Sequence, residues 1–294
     1  MTVLITGAAG QLGTELCLRS KARAHDIVAV NHNELDVTNE SSINALVAQV
    51  KPAVIINAAA YTAVDRAETD SATAFAVNRD GPLYLARACA KADIPLLHIS
   101  TDYVFDGKKS VPYLETDIPN PQGVYGQSKL EGEIAVASVL DKYITLRTAW
   151  VFSATGHNFV RTILRLAKER DELSIVADQT GAPTWAGHIA EVLLKIVDQI
   201  HQGKPVTWGL YHYTGSPATT WHAFAVAICE QAFALDMLEK KPIIKPISTS
   251  EYPTPASRPQ NSVLACAHIQ KELRIPQADW RIGLKQILIQ WKTQ

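Results

Sequence analysis

Met1-Thr2-Val3-Leu4-Ile5-Thr6-Gly7-Ala8-Ala9-Gly10-Gln11-Leu12-Gly13 opens the chain, and its reading decides the fold. A short β-branched run leads into a turn carrying three glycines, and a helical pattern over Gln11 to Ser20 follows. Glycines at such a turn permit a tight bend, close approach of a phosphate and close packing of helix on strand. The helix N-terminus adds free N–H donors and the positive end of its dipole. The spacing of Gly7, Gly10 and Gly13 is G-x-x-G-x-x-G, one residue wider than the commonest dinucleotide fingerprint. A glycine turn without a ligand is the alternative, and the strand-turn-helix context weighs against it. The stretch therefore predicts a bound dinucleotide.

Working outward, short apolar strands are expected at Val3 to Thr6, Ile27 to Val30, Val54 to Asn57, Leu96 to Ser100 and Ile144 to Arg147. Helices are expected between them, at Gln11 to Ser20, Ser41 to Val50, Ser71 to Ala92 and Tyr125 to Leu140. All-apolar strands alternating with helices indicate an α/β protein, a Rossmann-like doubly wound parallel sheet covered on both faces. After Trp150 the pattern shifts to helices at Phe159 to Lys168 and Ala186 to Gln202, with short extended pieces between. Residues 1–150 are thus expected to form mainly the dinucleotide-binding domain. Residues 151–294 are expected to form mainly a smaller substrate-binding lobe, with some segments returning to the first domain. Lys241 to Pro259 carries five prolines and reads as a surface loop at the edge of a cleft.

Bulk composition narrows the class. In 294 residues, 28 Lys and Arg face 29 Asp and Glu, with no long block of one sign, so nothing points to nucleic acid. No apolar run approaches the roughly 18 residues of a membrane span, and the first residues lack a secretory pattern. Cys17, Cys89, Cys229 and Cys266 are scattered without a C-x-x-C pair, as expected of reduced thiols in a cytoplasmic protein.

The second strand should end where the adenosine ribose lies. An acidic residue there favours NAD and a nearby arginine favours NADP. Here Val30 is followed by Asn31-His32-Asn33, which selects neither, so both NADH and NADPH are expected. Tyr125 and Lys129 stand four apart, on one face of a helix. An ammonium beside the phenol is expected to bring its pKa down toward the working pH, making Tyr125 an acid or base. Alone, a Y-x-x-x-K spacing is common on solvated helices. Its context strengthens it, because Ser100-Thr101-Asp102-Tyr103-Val104-Phe105-Asp106-Gly107 follows the fourth strand, at the sheet edge where such folds bind ligands. The Thr101 hydroxyl there can reach the oxygen that Tyr125 protonates; its plainer reading is a turn cap.

With these residues in view the chain resembles the extended short-chain dehydrogenase/reductase superfamily, and within it the dTDP-4-dehydrorhamnose reductases, over nearly its whole length. The glycine turn, Thr101, Tyr125 and Lys129 carry the superfamily likeness. More specific are Asn57 to Asp65, Val77-Asn78, Ser100 to Gly107, Arg147 to Phe152, Asp178 to Thr184 and Ser257-Arg258-Pro259. The resemblance implies a cofactor contacted by Gly10, Gln11 and Leu12, by Asp36 and Val37, and by Ala60, Tyr61 and Thr62, with Tyr125 and Lys129 beside the nicotinamide ribose. It implies a nucleotide-sugar substrate held by Thr101, Asp102 and Trp150, with Arg258 near the diphosphate. Trp150 reads equally well as a core aromatic.

Some members of that family hold Mg2+ at a dimer interface, with a carboxylate at the position of Glu15 and others near the C-terminus. Glu15 is present, but Ile287 to Lys292 offers no carboxylate, so no metal is assigned and a homodimer is left open. Two other readings share these motifs. A sugar-nucleotide epimerase or dehydratase would use the same fold, although Asp102-Tyr103 after Thr101 is not the acid-base pair a dehydratase needs. A non-catalytic dinucleotide-binding regulatory subunit would not need the intact Thr101, Tyr125 and Lys129 set.

Overall fold

The computed structural model describes residues 1–293. The first half runs β1 (Thr2–Thr6), α1 (Gln11–Ser20), β2 (Asp26–Val30), α2 (Glu40–Val50) and β3 (Val54–Asn57). Next come the short helices α3 (Val64–Ala67) and α4 (Ser71–Phe75), a π-helical turn (Ala76–Asp80) and α5 (Gly81–Ala92). Then follow β4 (Leu96–Thr101), a 3₁₀ turn (Asp102–Val104), α6 (Val124–Val139) and β5 (Tyr143–Thr148). The second half begins with β6 (Val151–Phe152), α7 (Phe159–Glu169), β7 (Glu172–Val176), β8 (Thr180–Gly181) and β9 (Thr184–Trp185). It continues with α8 (Ala186–His201), β10 (Gly209–His212), β11 (Thr219–Thr220), α9 (Trp221–Ala234) and β12 (Ile243–Ile247). A 3₁₀ turn (Thr249–Glu251), α10 (Ala267–Leu273) and α11 (Trp280–Lys292) complete it.

Six strands form one parallel sheet in the order β10-β5-β4-β3-β1-β2. The chain winds outward in one direction from β1 to β2 and in the other from β3 onward. The order reverses between β1 and β3, and ligands of doubly wound sheets settle at the carboxyl ends of strands at such a switch point. The glycine turn leaves β1 there.

Alternation along the strands sends side chains to two cores. Val3 and Ile5 of β1 meet Leu12 and Leu16 of α1 and Ile189 and Leu193 of α8. On the opposite face Leu4 and Ile55 meet Ile43, Leu85 and Val136. A third core belongs to the second half, where Phe152, Ile163, Trp185, Phe224, Trp280 and Leu284 are buried together.

Three differences from the sequence expectations have physical causes. The helix expected over Ser71 to Ala92 is broken into α4, a π turn and α5, because Asn78 turns its side chain inward to hold a loop. β10, whose Gly-Leu-Tyr-His lacks the β-branched apolar run of the other strands, arrives from residues 209–212 to extend the sheet beside β5. The proline-bearing stretch after Lys241 contains β12, which pairs in parallel with β7 despite Pro246. It is an edge strand in a two-stranded sheet, where a missing N–H is tolerated. Among the described residues no helix is long and apolar enough to cross a membrane.

Candidate active site

Gly7 takes φ 71°, a left-handed backbone that costs glycine nothing. A Cβ there would lie 2.6 Å from the Ala59 nitrogen, and one on Gly13 would lie 2.2 Å from the Gly7 carbonyl oxygen. The turn is therefore pressed against the loop after β3 at Gly7 and against its own backbone at Gly13, with no room for a side chain at either. Gly10 caps α1 without a side-chain hydrogen bond, which leaves first-turn N–H groups of α1 free for an anion. A cradle that a Cβ would fill, ending in unclaimed donors, fits a dinucleotide pyrophosphate. Gln11 accepts a hydrogen bond from Asn158 Nδ2 at 3.1 Å, so the cap residue of α7 reaches across to the same turn.

Asp36 and Val37 follow β2. The Asp36 carboxylate accepts from the Thr38 amide and hydroxyl at 2.9 and 2.8 Å, and these bonds hold its pKa below the ordinary range. Val37 is buried against Gly81 of α5. On the other side of the turn, Ala60, Tyr61 and Thr62 form the loop after β3. Asn78, fully buried, accepts from the Tyr61 amide at 2.9 Å and donates to the Tyr61 carbonyl at 3.0 Å. It also donates to Ser128 Oγ at 3.1 Å, and Ser128 donates to the Tyr125 carbonyl. Asn78 thus ties the cofactor-side loop to α6. Gly132 lets it come this close, since a Cβ there would stand 2.0 Å from the Asn78 oxygen.

Tyr125 and Lys129 lie one turn apart on α6, whose first turn is capped from outside by Glu68, which accepts from the Val124 amide at 2.9 Å. Lys129 is buried and donates to the Ile99 carbonyl of β4 at 2.6 Å. Burial lowers its pKa to about 8, with Glu133 working in the opposite sense. Thr101 ends β4, accepts from the Tyr103 amide at 3.2 Å as a turn cap, and donates to Asp102 Oδ1 at 3.0 Å. Asp102 is buried, its Oδ2 has no partner, and burial raises its pKa to about 6.

The phenol of Tyr125 departs from the sequence expectation. Desolvation pushes it above its ordinary pKa rather than below, with the adjacent Thr101 hydroxyl acting the other way and the Asp102 carboxylate adding to the rise. Lys129 is engaged with Ile99 and is not among the groups that move it. A phenol so placed holds its proton through the neutral range, which suits a donor.

Trp150 and Arg258 approach from other directions. Trp150 follows the end of β5 and stacks on Trp221. Arg258 donates to Asp65 Oδ2 at 2.6 Å and to the Tyr103 hydroxyl at 3.2 Å, and Tyr103 meets Tyr125 edge-on at 5.5 Å between centroids. Thr101, Asp102, Tyr125 and Lys129 thus gather at the ends of β4 and α6, with Arg258 joined to them through Tyr103.

Glu15 is held by Arg19 at 3.1 Å, and Glu191 of α8 by Arg19 and Arg23 at 3.3 and 2.7 Å. Within one chain these carboxylates are matched by guanidinium groups, a donor set unsuited to a divalent cation. No group of three or more metal-ligating side chains occurs among the described residues.

The RmlD substrate binding domain model matches residues 1–293. This chain belongs to that family. A dTDP-4-dehydrorhamnose reductase of Aggregatibacter actinomycetemcomitans is 48% identical over 97% of both chains. A reductase of the same name from Burkholderia thailandensis is 46% identical over the same shares. The crystal structure of a dTDP-4-dehydrorhamnose reductase from Clostridium acetobutylicum superposes with a TM-score of 0.92 at 37% identity, over 99% of this chain and 100% of that one. One from Bacillus anthracis, in complex with NADP, gives 0.89 at 36% identity, over 98% and 99%.

Asn57, Asn78 and Asn158 were not singled out as site residues by sequence reasoning. Asn57 accepts from Thr6 Oγ1 and the Ala59 amide and donates to His98, pinning the loop beside Gly7. Asn57 and Asn78 lay inside quoted motifs, and the available signal was a polar residue where an apolar one would pack.

Proposed function

We propose that this chain reduces the C4 keto group of dTDP-4-dehydro-L-rhamnose to dTDP-L-rhamnose, with NADPH or NADH as reductant, in the cytoplasm, for surface-polysaccharide precursors. The observation that carries this reading is the convergence of Thr101, Tyr125 and Lys129 in a chain matching named reductases along its length. The Bacillus anthracis relative holds NADP, which supports the phosphorylated cofactor.

Gly7, Gly10, Gln11, Leu12 and Gly13 would receive the pyrophosphate, Asp36 and Val37 the adenosine end, and Ala60, Tyr61 and Thr62 the nicotinamide side. Bound reduced nicotinamide supplies the hydride to the carbonyl carbon. Tyr125 gives its phenolic proton to the carbonyl oxygen, and the phenolate then regains a proton from solvent. Lys129, one helical turn from Tyr125, holds the nicotinamide ribose. The Thr101 hydroxyl turns from Asp102 to the carbonyl oxygen. Trp150 and Asp102 bound the sugar. Arg258 has five N–H donors, of which Tyr103 and Asp65 engage two groups, and the remainder serve the diphosphate. Residues 1–150 carry mainly the cofactor, and 151–294 mainly close over the nucleotide.

The test uses NADPH deuterated at the transferable position. Deuterium at C4 of the recovered sugar nucleotide is the expected result. Unlabelled product, or deuterium elsewhere, contradicts the reading.

A further inference from the structure

β5 ends at Thr148, paired with Thr101 of β4, and shortly after it Trp150 takes φ 50°. A left-handed backbone is rare for a bulky residue and persists only where the surroundings over-determine it. Three contacts do so. The Trp150 carbonyl accepts from the Thr184 amide at 3.1 Å. The indole edge lies on Gly181, where a Cβ would stand 2.3 Å from the ring. The indole face stacks on Trp221, with centroids 3.5 Å and planes 9° apart.

That stack is nearly face to face, the arrangement aromatic quadrupoles favour least. It is therefore held by its frame. Trp221 opens α9 directly after β11, which pairs with β8, and it rests on Phe159 at 4.6 Å and Phe224 at 6.4 Å in the core of the second half. β8 leads back toward the reacting groups, because the Thr180 carbonyl accepts from the Ser262 amide at 2.8 Å and the Ser262 hydroxyl acts to lower the pKa of Asp102. Both indoles are only half-buried, so this rigid apolar surface is not wholly consumed by the core.

We propose that Trp221 is a positioning residue for the sugar: it holds the Trp150 indole flat, so that the pair forms an apolar wall for the C–H face of a deoxyhexose attached to a nucleoside diphosphate. The inference rests on the reductase reading. A sugar ring presents polar edges and an apolar face, and an indole offers a large apolar surface at little cost in side-chain freedom.

The experiment compares wild type, Trp221→Phe and Trp221→Ala by calorimetric binding of dTDP and of dTDP-L-rhamnose, with thermal melting recorded for each. Trp221→Ala is expected to weaken dTDP-L-rhamnose by roughly 3- to 10-fold, the scale of one aromatic contact, while dTDP binding is unchanged. Trp221→Phe should fall between and keep the wild-type melting temperature within a few degrees. In the reductase assay KM should rise with kcat nearly constant, the mark of lost uniform binding. Equal weakening of dTDP and dTDP-L-rhamnose, or no weakening in Trp221→Ala, overturns the wall. Wild-type protein that binds dTDP-L-rhamnose but turns over no keto-sugar overturns the reductase reading and leaves the wall standing on its own binding data.

Discussion

Lys129 Nζ donates to the main-chain carbonyl of Ile99 at 2.6 Å, which fixes a buried ammonium between α6 and β4 beneath the tyrosine one turn before it. Burial brings its pKa from 10.5 to about 8, so the folded chain favours the neutral amine more than the unfolded chain does. The ammonium is a constant cost to stability below about pH 8, and the cost disappears as pH rises from there to 10.5. Lys129→Met should therefore melt several degrees above wild type at pH 7, and the gap should close by pH 10.5. Reduction should be lost in the same variant. Melting curves across that range, beside steady-state rates, check both halves.

Asp102 titrates in another window with a related sign. Its pKa is raised from 3.8 to about 6 by burial, so the fold favours the protonated acid. Below 3.8 both states are protonated and no cost arises; between 3.8 and 6 the cost grows, and above 6 it is complete. Asp102→Asn is expected to stabilise the chain at pH 7.5 and to be neutral below pH 3.8. Denaturant titrations at the two pH values measure the difference.

Glu133 meets Arg147 with Nε at 2.9 Å and Nη2 at 2.6 Å, both side chains almost wholly buried. Removing one member strands the other's charge in the core. Glu133→Gln should cost about 3–5 kcal/mol in urea unfolding, whereas Glu133→Leu with Arg147→Met should recover much of it. Equal losses in both variants would mean that the pair itself, rather than an uncompensated charge, carries the stability.

The glycine turn separates two substitutions that look alike in sequence. A Cβ on Gly10 would lie 3.2 Å from the Gly7 oxygen, a contact that small shifts relieve, while one on Gly13 would lie 2.2 Å from the same atom and 2.6 Å from Ala8 Cα. Gly10→Ala should fold and bind NADPH within about tenfold of wild type. Gly13→Ala should lose dinucleotide binding by at least about 100-fold, or fail to fold, because backbone has nowhere to go. Cofactor fluorescence titration and circular dichroism distinguish these outcomes.

What the sequence revealed follows from how local each signal is. β1, the glycine turn and α1 were legible because apolar run, glycines and helix are contiguous. The Tyr125 and Lys129 pair was legible because one helical turn brings both to one face. The direction of the Tyr125 shift was not, since it is set first by desolvation, which depends on tertiary burial and leaves no local pattern. β10 escaped because Gly-Leu-Tyr-His is not the apolar, β-branched run that revealed the equally short β3. Asn78 was legible only as part of the Val77-Asn78 motif, and its tertiary hydrogen bonds alone show that it braces Tyr61 against Ser128. The clasp of Arg258 by Asp65 spans 193 positions and has no local trace.

The central claim is that Tyr125 is the proton donor of a nicotinamide-dependent ketoreductase. The direct measurement is NADPH and NADH oxidation with dTDP-4-dehydro-6-deoxyglucose supplied through its 3,5-epimerase, wild type against Tyr125→Phe. Loss of a general acid is worth about 10²- to 10⁴-fold in rate. The account predicts epimerase-dependent oxidation in the wild type and a loss of that size in Tyr125→Phe, with cofactor binding retained. Near-normal turnover in Tyr125→Phe would contradict it.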